Sequence, residues 1–290
     1  MNARLRAAFG SPFLASTISF AIGTLFLAGI TLGMTHHLLF DPALFTTQPL
    51  WLWLGGVLGI IYLTGNILLF PKIGSVQTVI FPILGQVLMG LLIDNFGWFS
   101  ATMTPLTITR VLGALGVILG ILITVVGPSW FEHRLPTQTT PATNLWLWRC
   151  FGIFTGMLSA SQTAINGHLG KILNSPFQSA FISFLVGTLA LCLILLVLRP
   201  KFNWQTVKQK NTWWMWLGGC FGALYVLGNT YLAPIIGTGL TVVVVLTGMI
   251  AGSLLIDNFG WLNTPKRPVS IIQILGLLVM GLGIVAIRLF

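Results

Sequence analysis

Long apolar stretches separated by short polar gaps run the length of the chain. Nine of them, at 12–34, 49–70, 73–93, 106–127, 144–165, 176–198, 212–232, 235–256 and 269–289, are each about twenty residues long. At that length an α-helix crosses the hydrocarbon layer of a bilayer. Most gaps are short, which predicts antiparallel neighbours. The exception is the Pro- and Thr-rich segment 128–143 (PSWFEHRLPTQTTPAT), the most polar stretch in the chain. It is the natural linker between a first unit of four helices, 1–127, and a second of five, 144–290.

The two units are repeats. Residues 2–25 align with 166–189 at 11 identities in 24 positions, and 51–98 align with 214–261 at 24 in 48. Shared hydrophobicity does not put Gly, Asn, Pro and Asp in common register, so the pattern signals duplication. Helix 144–165 has no counterpart, because its partner would precede Met1, which aligns with Ile165. The expectation is a further helix encoded upstream of Met1, with a nine-helix chain as the alternative.

Composition fixes the solvent. The 290 residues are 56% hydrophobic and 6% charged, against about a quarter charged in a soluble domain. The lipid bilayer is therefore the expected surrounding, and the fold class is an all-α integral membrane protein. The net charge of +10 does not point to nucleic acid, since the basic residues are spread over short gaps instead of gathered in a patch. Arg4 and Arg6 before an apolar stretch imitate a signal peptide, but the stretch is too long and lacks a cleavage site. Cys150, Cys192 and Cys220 have neither metal spacing nor a pairing pattern and read as small buried hydrophobes.

Alternating through nine spans places eleven of the fourteen Lys and Arg on the side of the N-terminus, and Arg110, Lys171 and Arg288 on the other. The positive-inside rule then puts the N-terminus in the cytoplasm and the C-terminus outside, in a plasma membrane of the bacterial inner-membrane type. An odd number of spans between equivalent points makes the two repeats lie in opposite orientations. Inverted repeats are the architecture of many secondary transporters.

The motifs SPFxxxxISFxxGTL, WxWLGGxxGxxYxxGN and LLIDNFGW resemble the YdcZ-like branch of the drug/metabolite transporter superfamily, over nearly the whole chain and twice over. The resemblance implies five helices per domain, a fused pair of domains, and a transporter or exporter of small molecules. This sequence departs from it by lacking the first helix.

Four carboxylates are present, Asp41, Asp94, Glu132 and Asp257, and none falls at the middle of a predicted span. The small multidrug resistance proteins of the same superfamily carry one in their first helix. The only first-type helix here offers Ser159 and Gln162 but no acid, so a copied carboxylate-exchange mechanism is not expected. Asp94 and Asp257 are repeat equivalents at helix ends. They read either as gates or proton sites, one per face, or, with more weight, as parts of a structural IDNFGW turn anchored by Trp98 and Trp261. Arg110 could pair with Asp94, and Lys266 or Arg267 with Asp257.

Asn66 and Asn229 sit in apolar helices in the motif YxxGN with Tyr62 and Tyr225. A buried amide must be hydrogen-bonded, so these residues line either a polar pathway or a helix contact. Gln86, whose partner is Met249, is an asymmetric polar group at mid-depth and joins Gln162 and Ser159 as a substrate-pathway candidate. PKIG (71–74) and PIIG (234–237) read as tight turns between spans. His36, His37, His133 and His168 read as loop residues, and no metal, cofactor or catalytic constellation is expected. The expected function is a secondary transporter or exporter of a small molecule by alternating access, not an enzyme. A fused pair needs no dimer, so a monomer suffices. The alternative is a non-transporting structural or assembly membrane protein.

Overall fold

The computed structural model describes residues 1–38, 41–131, 145–200, 207, 212–261 and 268–289, and every regular element among them is helical. The chain opens with α1 (Asn2–Phe9) and α2 (Pro12–Thr35). A helical run, Gly55–Phe96, follows and is broken at Gly74 into α3 (Gly55–Gly74) and α4 (Val76–Phe96). Then come α5 (Ile108–Phe131), α6 (Leu145–Ile172), α7 (Pro176–Leu198), α8 (Gly218–Ile236), α9 (Thr238–Phe259) and α10 (Ile271–Leu289). Among the described residues, seven helices are long and apolar enough to cross a membrane. The more polar α6 and the shorter α10 complete the set that the apolar pattern predicts. Residues 132–144, most of the expected linker, lie outside the described residues.

The repeated motifs are helix punctuation. In SPF, the serine is the N-cap and the proline starts the helix. Ser11 Oγ accepts from the Leu14 N–H at 3.4 Å and Ser175 Oγ from the Gln178 N–H at 3.2 Å, which satisfies a donor the helix cannot. In IDNFGW, Gly97 (φ 64°) and Gly260 (φ 67°) close α4 and α9 in the left-handed conformation. The neighbouring asparagines tie the next segment back: Asn95 Oδ1 accepts from the Leu106 N–H at 2.9 Å, and Asn258 Oδ1 from the Val269 N–H at 3.2 Å. The turns at PKIG and PIIG each reduce to one glycine, Gly74 (φ 78°, ψ 172°) and Gly237 (φ 88°, ψ 159°). A side chain is strained in that region, so glycine makes the one-residue break.

Contacts between the units come in exchanged pairs. Phe20 stacks on its own repeat equivalent Phe184 with centroids 4.8 Å apart, and Thr24 shares a 2.8 Å hydrogen bond with its equivalent Thr188. Gly56 of α3 lies against the Ser183 carbonyl of α7, while Gly219 of α8 lies against the Ser19 carbonyl of α2. Along α5 and α10, Gly113 meets Gly283 and Gly120 meets Gly276. These glycines let backbones touch, as small residues do in membrane helix pairs.

α6 breaks the pairing. It packs across α3 and α4, with Gly65 against Thr155, Gly85 against the Ile153 carbonyl and Gly156 against the Pro82 carbonyl. On the equivalent face of α8 and α9, no described residue lies within 4 Å of a side chain added at Gly228 or Gly248. The outer surface is apolar, with Leu25, Leu193 and Leu196 more than half exposed, which suits lipid. Cys150 and Cys192 are on that surface instead of buried as expected. His168 is also not in a loop: it lies inside α6 and stacks on Trp51 at 5.7 Å.

Candidate functional site

Helical spacing gathers the central polar residues. Tyr62 and Asn66 are four apart on α3, as are Tyr225 and Asn229 on α8, so each pair shares a helix face. Ser159 and Gln162 are three apart on the buried face of α6. Gln86 of α4 is fully buried and lies between the two tyrosines. Its Nε2 donates to the Tyr62 hydroxyl at 3.1 Å, and its Oε1 accepts from the Tyr225 hydroxyl at 3.1 Å. Ser159 Oγ is 3.4 Å from the Tyr225 hydroxyl. Because that hydroxyl spends its proton on Gln86, serine is the donor there. The chain of bonds from Ser159 through Tyr225 and Gln86 to Tyr62 joins four helices, α6, α8, α4 and α3.

The remaining candidates border this network. Gln162 is 4% exposed, and its amide occupies the space that glycine leaves at position 59. Asn229 donates from Nδ2 to the Tyr225 carbonyl at 3.0 Å. That bond fixes which way the amide points and leaves its Oδ1 buried without a partner among the described residues. Asn66 Oδ1 is likewise buried and unpartnered. A narrow crevice, too tight in this conformation to hold a water molecule, lies among Gln162, Thr163, Asn166, Tyr225, Val226 and Asn229. Thr163 and Asn166 were absent from the sequence candidates. They follow Gln162 along α6, so the same helix pointed to them.

Asp94 forms a second, separate site at one end of the bundle. It is fully buried and lies 3.3 Å from Arg110 Nη2. Its two oxygens accept from the Thr238 N–H at 2.8 Å and the Gly239 N–H at 2.9 Å. Those amides open α9, whose N-cap residue, Gly237, has no side chain to cap them. The carboxylate of α4 therefore caps a helix of the other unit, where an anion is also favoured by the helix dipole. Arg110 also donates to the Thr104 and Pro105 carbonyls, which holds the intervening loop. The amide partners of Asp94 were not among the sequence candidates; a helix that starts on glycine was the available signal.

Asp257 does not repeat this arrangement. It is partly exposed, and among the described residues it has no ion pair and no hydrogen bond to the equivalent amides of residues 75 and 76. The position equivalent to Arg110 is Gln273. Lys266 and Arg267, the partners expected for Asp257, lie outside the described residues.

Comparison with known proteins agrees with this architecture. The model of the family described as "Putative inner membrane exporter, YdcZ" matches the chain twice, over residues 1–123 and 147–286. No curated protein matches the chain. The two matched regions leave out little beyond the polar segment between the units, and the chain belongs to the YdcZ family of membrane exporters.

Proposed function

We propose that the chain exports a small solute across the plasma membrane by alternating access, with its two units inserted in opposite orientations. The exchanged contacts support the inversion. In α5 and α10 the earlier glycine of one helix meets the later glycine of the other. Equivalent helices that cross in this way run antiparallel, which calls for a two-fold axis across the helices and hence in the membrane plane. The charge asymmetry supports a cytoplasmic N-terminus and an outside C-terminus.

The observation that carries the proposal is the one-sided tie made by Asp94. It fastens α4 of the first unit to α9 of the second at the outer end of the seam, while its equivalent, Asp257, makes no such tie among the described residues. Under inversion the two carboxylates serve opposite faces. The conformation is then the outward-closed one. In the opposite state the Asp94 tie opens and Asp257 caps the start of α4 at residues 75 and 76. The Gln86 network lies between the two ties and is the part of the seam that a solute reaches from either face.

Labelling tests this. In a chain with the three native cysteines replaced, Val226→Cys reports on the seam. A membrane-impermeant maleimide is expected to reach it from the cytoplasmic face of inside-out vesicles. Adding Asp94→Ala or Arg110→Gln is expected to shift labelling towards the outer face in spheroplasts. The same sidedness in all three chains would refute the gate.

A further inference from the structure

We propose that the central site accepts an uncharged solute that donates hydrogen bonds. The inference rests on the transporter reading and narrows its substrate. Every side chain of the site is neutral at pH 7: Tyr62, Gln86, Ser159, Gln162, Tyr225 and Asn229. The buried ion pair, Asp94 with Arg110, is satisfied by its own partners at the end of the seam. It offers no countercharge to a solute at the centre. A charged solute at mid-depth would lose its hydration and find nothing of opposite sign, a penalty that grows steeply in a low-dielectric interior. Intramembrane sites for ions carry ionisable residues for this reason.

The polarity of the unsatisfied groups gives the second half of the inference. The protons of Ser159 and Tyr225 are directed along the internal chain, to Tyr225 and Gln86. Gln86 directs one of its amide protons to Tyr62. Among the described residues, the buried atoms of Asn66 and Asn229 left without a partner are both acceptors. Asn229 is 2% exposed, borders the crevice beside Gln162, and has its amide orientation fixed by the bond from Nδ2 to the Tyr225 carbonyl. Its Oδ1 therefore presents an acceptor with no partner among the described residues. Asn66 Oδ1, the repeat equivalent, is a second. A buried acceptor left unmade is costly, and a solute with hydroxyl or amide N–H groups would satisfy both. Alcohols, polyols and neutral amides have that chemistry. Lipophilic cations and carboxylates do not.

The test uses protection of Val226→Cys from alkylation by N-ethylmaleimide, in the full chain purified in detergent. The probes are three pools of a low-molecular-mass cell extract at pH 7. One is the cations eluted from a cation exchanger, one the anions eluted from an anion exchanger, and one the uncharged fraction that passes a mixed-bed resin. The uncharged pool is expected to slow alkylation at least threefold. That protection is expected to vanish in Asn229→Ala and to weaken in Asn66→Ala, the second variant guarding against a folding defect in the first. Protection by a charged pool alone would overturn the substrate class and leave the transporter reading standing. Protection by the uncharged pool that survives both asparagine variants would overturn the assigned acceptors. No protection by any pool would overturn the inference and count against the central site itself.

Discussion

Asp94 and Asp257 occupy the same place in the motif LLIDNFGW, yet their surroundings differ enough to give opposite mutational outcomes. Asp94 is fully buried and holds Arg110 and two backbone N–H groups. Its replacement by alanine leaves a buried cation unpaired, a defect worth about 3–5 kcal/mol where it has been measured. Asp257 is partly exposed, and Asp257→Ala is expected to change stability by only about 0.5 kcal/mol. Thermal unfolding of the two variants in detergent checks this: a large loss for Asp94→Ala and almost none for Asp257→Ala. Equal losses would mean that both ties are closed together, which alternating access does not allow. The sequence made these two residues visible as a pair of helix-end acids, and it suggested Arg110 as a partner for the first. It could not reveal the amides of Thr238 and Gly239, because a cap supplied from 144 residues away leaves no local pattern. The same holds for Gln86. Its lone polarity at mid-depth was legible, but the two tyrosines that share its amide are 24 and 139 residues distant.

Individual helices were more legible than the contacts between them. Apolar runs gave the spans, and SPF and the final glycine of IDNFG gave their starts and stops through ordinary capping chemistry. α6 was underestimated. It runs on to Ile172, past the predicted end at 165. The polar and small residues there, such as Asn166, Gly167 and His168, interrupt the apolar pattern. Of these, Asn166 and Gly167 face the protein interior, where Asn166 donates to Ser183 at 3.1 Å. Hydropathy records the loss of apolar character and cannot tell an inward polar face from a loop. The glycines of α3, α4, α8 and α9 look alike in sequence but differ in what they touch. Gly65→Leu and Gly85→Leu would drive a side chain into α6, and both are expected to abolish the folded protein. Gly228→Leu and Gly248→Leu point into open space and are expected to leave the melting temperature within a few degrees of the parent. Size-exclusion profiles and melting curves in detergent compare the four. Collapse of the Gly248→Leu chain would mean that another helix covers this face of α8 and α9.

For the whole molecule, the decisive quantity is the direction of one unit relative to the other. The duplication is written in the sequence, since identical spacing of Gly, Asn and Asp survives in both copies. Direction is encoded more weakly, in the distribution of Lys and Arg and in an odd number of spans. The α5 and α10 contacts supply a separate argument, because glycines that pair in reverse order belong to helices that cross antiparallel. These lines meet in one measurable outcome at the bends that precede the two SPF motifs. Gly10 and Asn174 are repeat equivalents, both exposed and both at positive φ, 73° and 50°. They lie at hydrophilic edges, where a cysteine is reachable from water. In the inverted arrangement an impermeant thiol reagent labels Gly10→Cys from the cytoplasmic face and Asn174→Cys from outside. In a parallel arrangement both are labelled from one face, and Asp94 and Asp257 would then guard the same end of the seam. A solute held beside Gln86 would have no second exit under their control, so labelling of both cysteines from one side would remove alternating access as the mechanism.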